Sequence, residues 1–206
     1  MTWVHDLTYC LSALQPLHDH LCPRQVLGVR IGLHAARLLN ISLPRRDKRV
    51  FCFVETDGCF ADGVMVATGC SLGHRTLRLV DYGKVAAAFI DTTTGRAFRI
   101  FPRPTAREAA RDYAPDAGDS WHTQLIGYQV MPDDQLLCSE PITLTLSIEA
   151  IISLPGRRVT CHECGEEIIN QREVIRNGDV VCLRCAGDGY YRPATPNFNP
   201  GQGEDI

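Results

Sequence analysis

Two groups of side chains in this 206-residue sequence have the types and spacing of metal ligands. In the stretch "LHDHLCPRQVLGVR", residues 17–30, His18, His20 and Cys22 stand at every second position, ahead of Pro23 and an apolar run. If the stretch is extended, all three side chains point to one side; if it is already helical, His18 and Cys22 still share a face at i and i+4. The first geometry offers three ligands and the second two. Neutral imidazole and thiolate together suit Zn²⁺ or another borderline-soft transition metal. In the second group, Cys161, Cys164, Cys182 and Cys185 read Cys-x-x-Cys, seventeen residues, Cys-x-x-Cys. That is the spacing of a closed, structural Zn²⁺ site with four thiolates. Asn177-Gly178, flanked by β-branched residues, predicts a hairpin that brings the two pairs together. His162 lies between the first two cysteines and, with four thiolates already in place, reads as a neighbour of the site.

A further set lies in "ETDGCFADGVMVATGCSLGH", residues 55–74. Asp57 or Gly58 can cap a helix, which places Cys59 in its first turn, where the positive end of the helix dipole lowers a thiol pKa. Cys70 follows Gly69 at the far end of the same helix, in a loop with two glycines. The helix would hold the two cysteines roughly 15 Å apart, at 1.5 Å per residue. A disulfide needs less than about 7 Å between Cα atoms, which argues against a redox pair. Lys84, just after the turn in "VDYGK", is a cation that could steady an anion or a thiolate, or simply a solvated turn lysine. Cys59 and Lys84 are the candidates for chemistry.

The elements that must position these residues follow from periodicity. "VHDLTYCLSALQPL" and "RQVLGVRIGLHAARLLN" carry apolar residues at three- and four-residue spacing, predicting two helices joined by the His/Cys stretch. Pro23 suits the first turn of the second. "VFCFVET" reads as a strand, followed by the helix that contains Cys59. "TLRLVDYGKVAAAFID" and "TTTGRAFRIFP" read as three antiparallel strands in a meander, "TAREAARDY" as a helix capped by Thr105, and "PITLTLS" as a further strand. Helices, meander, then helix again is an α+β pattern. Pro155 and Gly156 in "ISLPGRRVT" mark a boundary. The expected organisation is a core at 1–155, a four-cysteine zinc finger at 156–192 and a flexible tail at 193–206.

Composition narrows the function classes. A formal net charge of −3 gives no global attraction to nucleic acid. From residue 157 onward six arginines face eight acids, with no lysine, which favours a structural or protein-docking role for the finger over DNA reading. The basic run "PRRDKR" and the stripe Arg103, Arg107, Arg111 read as solvated faces. No apolar run approaches the roughly 20 residues that span a bilayer, and no basic-then-apolar leader opens the chain, so a cytoplasmic location without a membrane is expected.

Taken in order, "HDHLCP", "ETDGC", "TGCSLG", "DYGK" and "TGRAFR" resemble the motifs of the formylmethanofuran dehydrogenase E-subunit family, closely over residues 14–102. "CHECGEE" and "VVCLRCAGDGYY" resemble the treble-clef finger carried by some of its members. The resemblance implies a dimeric α+β core with a metal pocket formed by His20, Cys22 and Cys59, with His18 and Cys70 close by and Lys84 lining it. The metal would be Zn²⁺ or another transition metal, and the role that of an accessory to a molybdenum or tungsten enzyme. The alternative is an interaction protein whose core is a dimerising scaffold and whose finger recruits a protein partner. Asp19 and Arg24 stand where the family pattern has glycine, and Arg24 could narrow the pocket or supply a cation.

Overall fold

The two N-terminal helices form where the periodicity places them: α1 spans Leu7–Leu14 and α2 spans Pro23–Leu39. The computed structural model of the chain describes residues 6–151 and 157–192. Asp6 caps α1 by accepting the Tyr9 N–H at 2.7 Å. Pro23 takes the first position of α2, where a missing N–H is no loss. Cys22 is the N-cap, and its N–H donates to Oε1 of the buried Gln25 at 2.7 Å.

Helix α3, Cys59–Thr68, crosses α2 with almost no side chain between them. A Cβ on Gly28 would lie 2.2 Å from the Phe60 carbonyl oxygen, and one on Gly63 would lie 2.5 Å from that of Gln25. Backbone therefore packs on backbone, and this close crossing brings the first turns of α2 and α3 side by side.

The main sheet contains β1 (Val50–Val54), β2 (Leu77–Leu79), β3 (Ala87–Asp91), β4 (Ala97–Pro102) and β5 (Leu137–Pro141), in the spatial order β2-β1-β3-β4-β5. The fold class is α+β, with the antiparallel run β3-β4-β5 as its meander. Leu77–Leu79, expected as the first strand of that meander, instead pairs in parallel with β1. The crossover through α3 returns the chain to the start of β1, and a helix crossover is what a parallel pair requires. The strand expected in "PITLTLS" ends at its first residue, Pro141, and residues 142–147 form none. β1 and β3 are buried along their whole length, while Val29, Val64, Phe89 and Ile100 meet in the interior between the helices and the sheet.

Beyond β4 come α4 (Ala106–Tyr113), α5 (Ser120–Val130), the single turn α6 (Asp133–Leu136) and the short α7 (Ile148–Ile151). Thr105 is the N-cap of α4, although its side chain makes no capping hydrogen bond. α5 packs on α2, and Arg30 of α2 fastens its C-terminal end. The Arg30 guanidinium donates to the carbonyls of Tyr128 at 2.7 Å and Met131 at 2.6 Å, and to Asp133 Oδ1 at 2.7 Å. The first two are carbonyls that the end of a helix leaves without partners and the third is a carboxylate, so the buried charge is satisfied.

Contacts divide the chain into two units, Met1–Ala150 and Ile151–Ile206. In the second, β6 (Arg158–Thr160) pairs with β7 (Glu167–Ile169) and β8 (Val174–Arg176) with β9 (Asp179–Val181), all antiparallel. Asn177 and Gly178 turn β8 into β9 with positive φ of 54° and 94°, as the hairpin signal requires. Pro155, Gly156 and the tail 193–206 lie outside the described residues.

Candidate functional site

The four paired cysteines converge. Cys161 and Cys164 lie in the turn between β6 and β7, and Cys182 and Cys185 follow β9. Their sulfurs all lie within 4.8 Å of one another, so the group can hold a metal ion. Backbone amides already serve them: the Cys182 N–H donates to Cys161 Sγ at 3.2 Å and the Cys185 N–H to Cys182 Sγ at 3.4 Å. At Cys161 burial opposes the thiolate, but the amides of Cys164 and Cys182 outweigh it and bring the pKa down to about 7. Burial and the neighbouring thiols push Cys185 up to about 12. One thiolate is therefore prepared, while Cys164 and Cys185, both raised, call for a cation.

The core residues assemble differently. The thiols of Cys22 at the start of α2 and Cys59 in the first turn of α3 are close enough to influence each other. Both line a cavity of about 690 Å³ together with Arg24, Leu27, Arg107 and Trp121. Trp121 sits on α5, and His20, exposed on the connecting loop, faces its ring at 6.3 Å between centroids. The helix start does not lower the Cys59 pKa as expected. Burial comes first, then the Cys22 thiol, and together they push it up, outweighing the backbone amide that favours the thiolate. Two helix N-termini meeting here still favour negative charge, so the pair is suited to giving up protons to a cation. Among the described residues, the four-cysteine set is nonetheless the only group of three or more such ligand atoms this close together.

The other expected ligands are placed elsewhere. His18 Nε2 donates to Asp62 Oδ2 of α3 at 2.8 Å, which ties the loop to that helix. Cys70 lies past the far end of α3, where its buried thiol donates to the Val50 carbonyl at 3.4 Å. Lys84 is exposed, its ammonium 5.9 Å from the centre of the Tyr82 ring, and only its neighbour Val85 lines the cavity. Asp19 is exposed on the loop, whereas Arg24 reaches the cavity wall. The arginine stripe divides: Arg103 and Arg107 line the cavity and Arg111 does not.

Several motif residues turn out to hold the frame. Glu55 of "ETDGC" accepts a two-pronged ion pair from Arg99 of "TGRAFR", at 2.6 and 2.8 Å. Its backbone carbonyl accepts the N–H groups of Tyr82 and Lys84 in "DYGK". Three separated motifs are thus joined at one residue. Thr68 of "TGCSLG" donates to the Val64 carbonyl at 2.7 Å and accepts the Cys70 N–H at 3.1 Å. Gly69 has φ of 74°, and a Cβ there would meet the Arg45 carbonyl oxygen at 2.6 Å. Trp121, Gln124 and Tyr128 on α5 complete the cavity and were not anticipated. The signal was present: Asp119 caps α5, and Trp121, Leu125 and Tyr128 follow at helical spacing.

An α+β unit followed by a four-cysteine metal-binding unit is the class of protein that the fold and the site define. The chain belongs to the FmdE family, described as "Molybdenum formylmethanofuran dehydrogenase operon", whose model matches residues 17–132. It is 26% identical over 204 residues to a "Probable S-adenosyl-L-methionine-binding protein" of Archaeoglobus fulgidus, with 89% of this chain and 54% of that protein covered. The chain therefore spans about half the length of the curated relative it matches. Its fold is similar to the crystal structure of a tungsten formylmethanofuran dehydrogenase FmdE-like protein from Syntrophus aciditrophicus. That match has a TM-score of 0.60 at 18% identity and covers 93% of this chain and 98% of the other. No described helix is long and apolar enough to cross a membrane.

Proposed function

We propose that the chain is a metal-binding accessory to a molybdenum or tungsten enzyme, with two metal sites of different kinds. Zn²⁺ on Cys161, Cys164, Cys182 and Cys185 is structural. A second transition metal is held in the core by Cys22, Cys59 and His20. The observation that supports the core site is the meeting of the Cys22 and Cys59 thiols at two helix N-termini on the wall of one cavity. The donor chemistry fits a borderline-soft divalent ion: two sulfurs, an imidazole nearby and raised thiol protonation that a cation would reverse. Such an ion, when bound, supplies a Lewis acid able to activate water or a thiol. The chain's own part is to hold Cys22 through the Gln25 cap and to keep apolar wall, including Leu27 and Trp121, around the site. Metal analysis tests the reading. Purified protein should carry two ions per chain, and Cys59→Ser should remove one while leaving the other. A single ion, unaffected by Cys59→Ser, would overturn the core site.

A second reading, in which the four-cysteine unit docks a protein, is favoured by the exposure of Ile175, Leu183 and Tyr190 on that unit. An Ile175→Asp, Leu183→Asp chain that still captures the same partner would count against it.

A further inference from the structure

The cavity that holds Cys22 and Cys59 is lined by three solvent-exposed arginines, Arg24, Arg103 and Arg107, and by no carboxylate. Among the described residues none of the three forms an ion pair. Arg103 Nε instead donates to the Asp134 backbone carbonyl at 2.6 Å, and Arg107 lines the cavity beside Tyr128. Elsewhere this core pairs its cations with acids, as at Arg30–Asp133, Arg49–Asp91 and Arg99–Glu55. Three like charges lining one concavity make it a favourable place for an anion. A guanidinium offers a rigid fork of donors that matches the oxygens of a carboxylate or a phosphate.

The rest of the wall is apolar. Leu27, Val85 and the indole of Trp121, which is 40% exposed, offer surface for an apolar or aromatic body. The volume of about 690 Å³ is that of a small-molecule site. We propose that this cavity binds a small organic anion, its carboxylate or phosphate held by Arg24, Arg103 and Arg107 and its apolar body against Trp121. A ligand seated there lies beside the Cys22 and Cys59 thiols, since they share the wall. The inference rests on the arginines and the shape of the cavity, and does not require the core metal.

Trp3→Phe leaves Trp121 as the sole tryptophan of the full chain, so its emission reports on the cavity. The probes are phenyl phosphate, benzoate, inorganic phosphate and neutral benzyl alcohol, each titrated into zinc-loaded and into chelator-treated protein. One or both aromatic anions should bind saturably, the tighter of them naming the headgroup, with benzyl alcohol and inorganic phosphate at least about tenfold weaker. Arg24→Gln and Arg107→Gln should each weaken the anion about tenfold, and Arg24→Lys should recover part of the loss. Arg107→Gln should leave the metal content of the chain unchanged, which separates this result from the metal analysis. Equal affinity for benzyl alcohol and the anions would overturn the proposal. So would binding unmoved by the arginine variants, or no response to any anion up to about 10 mM.

Discussion

The two cysteine sites of this chain contrast in how their sulfurs come together. The four thiols of the second unit come from two short turns, and the β8–β9 hairpin is enough to bring them within 4.8 Å. Cys22 and Cys59 belong to separate helices, and what joins them is the glycine crossing of α2 and α3. The small unit has only Cys161, Ile168 and Val181 as its buried apolar centre, while the core unit buries two helices against a five-stranded sheet. A closed set of four thiolates in so small a unit takes the place of a core, since a unit this short buries too little apolar surface to fold unaided. A pair of thiols on a cavity wall contributes little to the fold and leaves room for a ligand. In one unit the proposed metal sustains the structure; in the other the structure sustains the proposed site.

The largest test of that contrast is Cys182→Ser. A structural Zn²⁺ of the kind proposed here contributes on the order of 10 kcal/mol to the folding of a small unit, so residues 157–192 should become sensitive to protease while the core's thermal transition is unchanged. A matching loss of core stability would mean that the two units do not stand independently. Next comes Gly28→Ala, whose added Cβ meets the Phe60 carbonyl oxygen. Separating the helices should cost about 3 kcal/mol in urea denaturation and should alter the reactivity of Cys59 toward a thiol reagent. The metal content of the four-cysteine unit should not change. An unaltered Cys59 reactivity would break the link between the helix crossing and the thiol pair.

The smallest effect is set by pH and concerns the core alone. Asp91 is buried at the end of β3, where the Arg49 guanidinium and the Thr93 and Thr94 groups hold its pKa at about 2, against an ordinary value of 3.8. A carboxyl depressed by folding stabilises the fold fully above 3.8, and its contribution is lost as pH falls from there toward 2. With Arg49 partly exposed, the contribution is on the order of 1 kcal/mol. Asp91→Asn should therefore lower the urea midpoint at pH 7 and flatten its decline between about pH 5 and 2. An unchanged acid decline would assign that slope to other carboxylates.

Much of this was legible in the residues. Pro23 after Cys22 marked the start of α2, the Asn177-Gly178 turn marked the β8–β9 hairpin, and the paired cysteines marked their own convergence. These are local signals, in which backbone preference and ligand spacing act within a few residues. α5 was missed although its cap and spacing were present, and with it went Trp121. The strand after β4 was misplaced because Pro141 closes a strand whose pairing is decided by β4.

What the sequence determined alone is therefore the α+β class, the helix starts and the four-cysteine group, because each depends on contacts near in the chain. The tertiary structure alone decided that Leu77–Leu79 runs parallel to β1, and that Cys59 meets Cys22 while Cys70 is buried beside Val50. It also turned Glu55 into the junction of three motifs and gathered Arg24, Arg103 and Arg107 around one cavity. Those outcomes depend on which surfaces pack together over long separations, and here on two glycines small enough to let two helices touch.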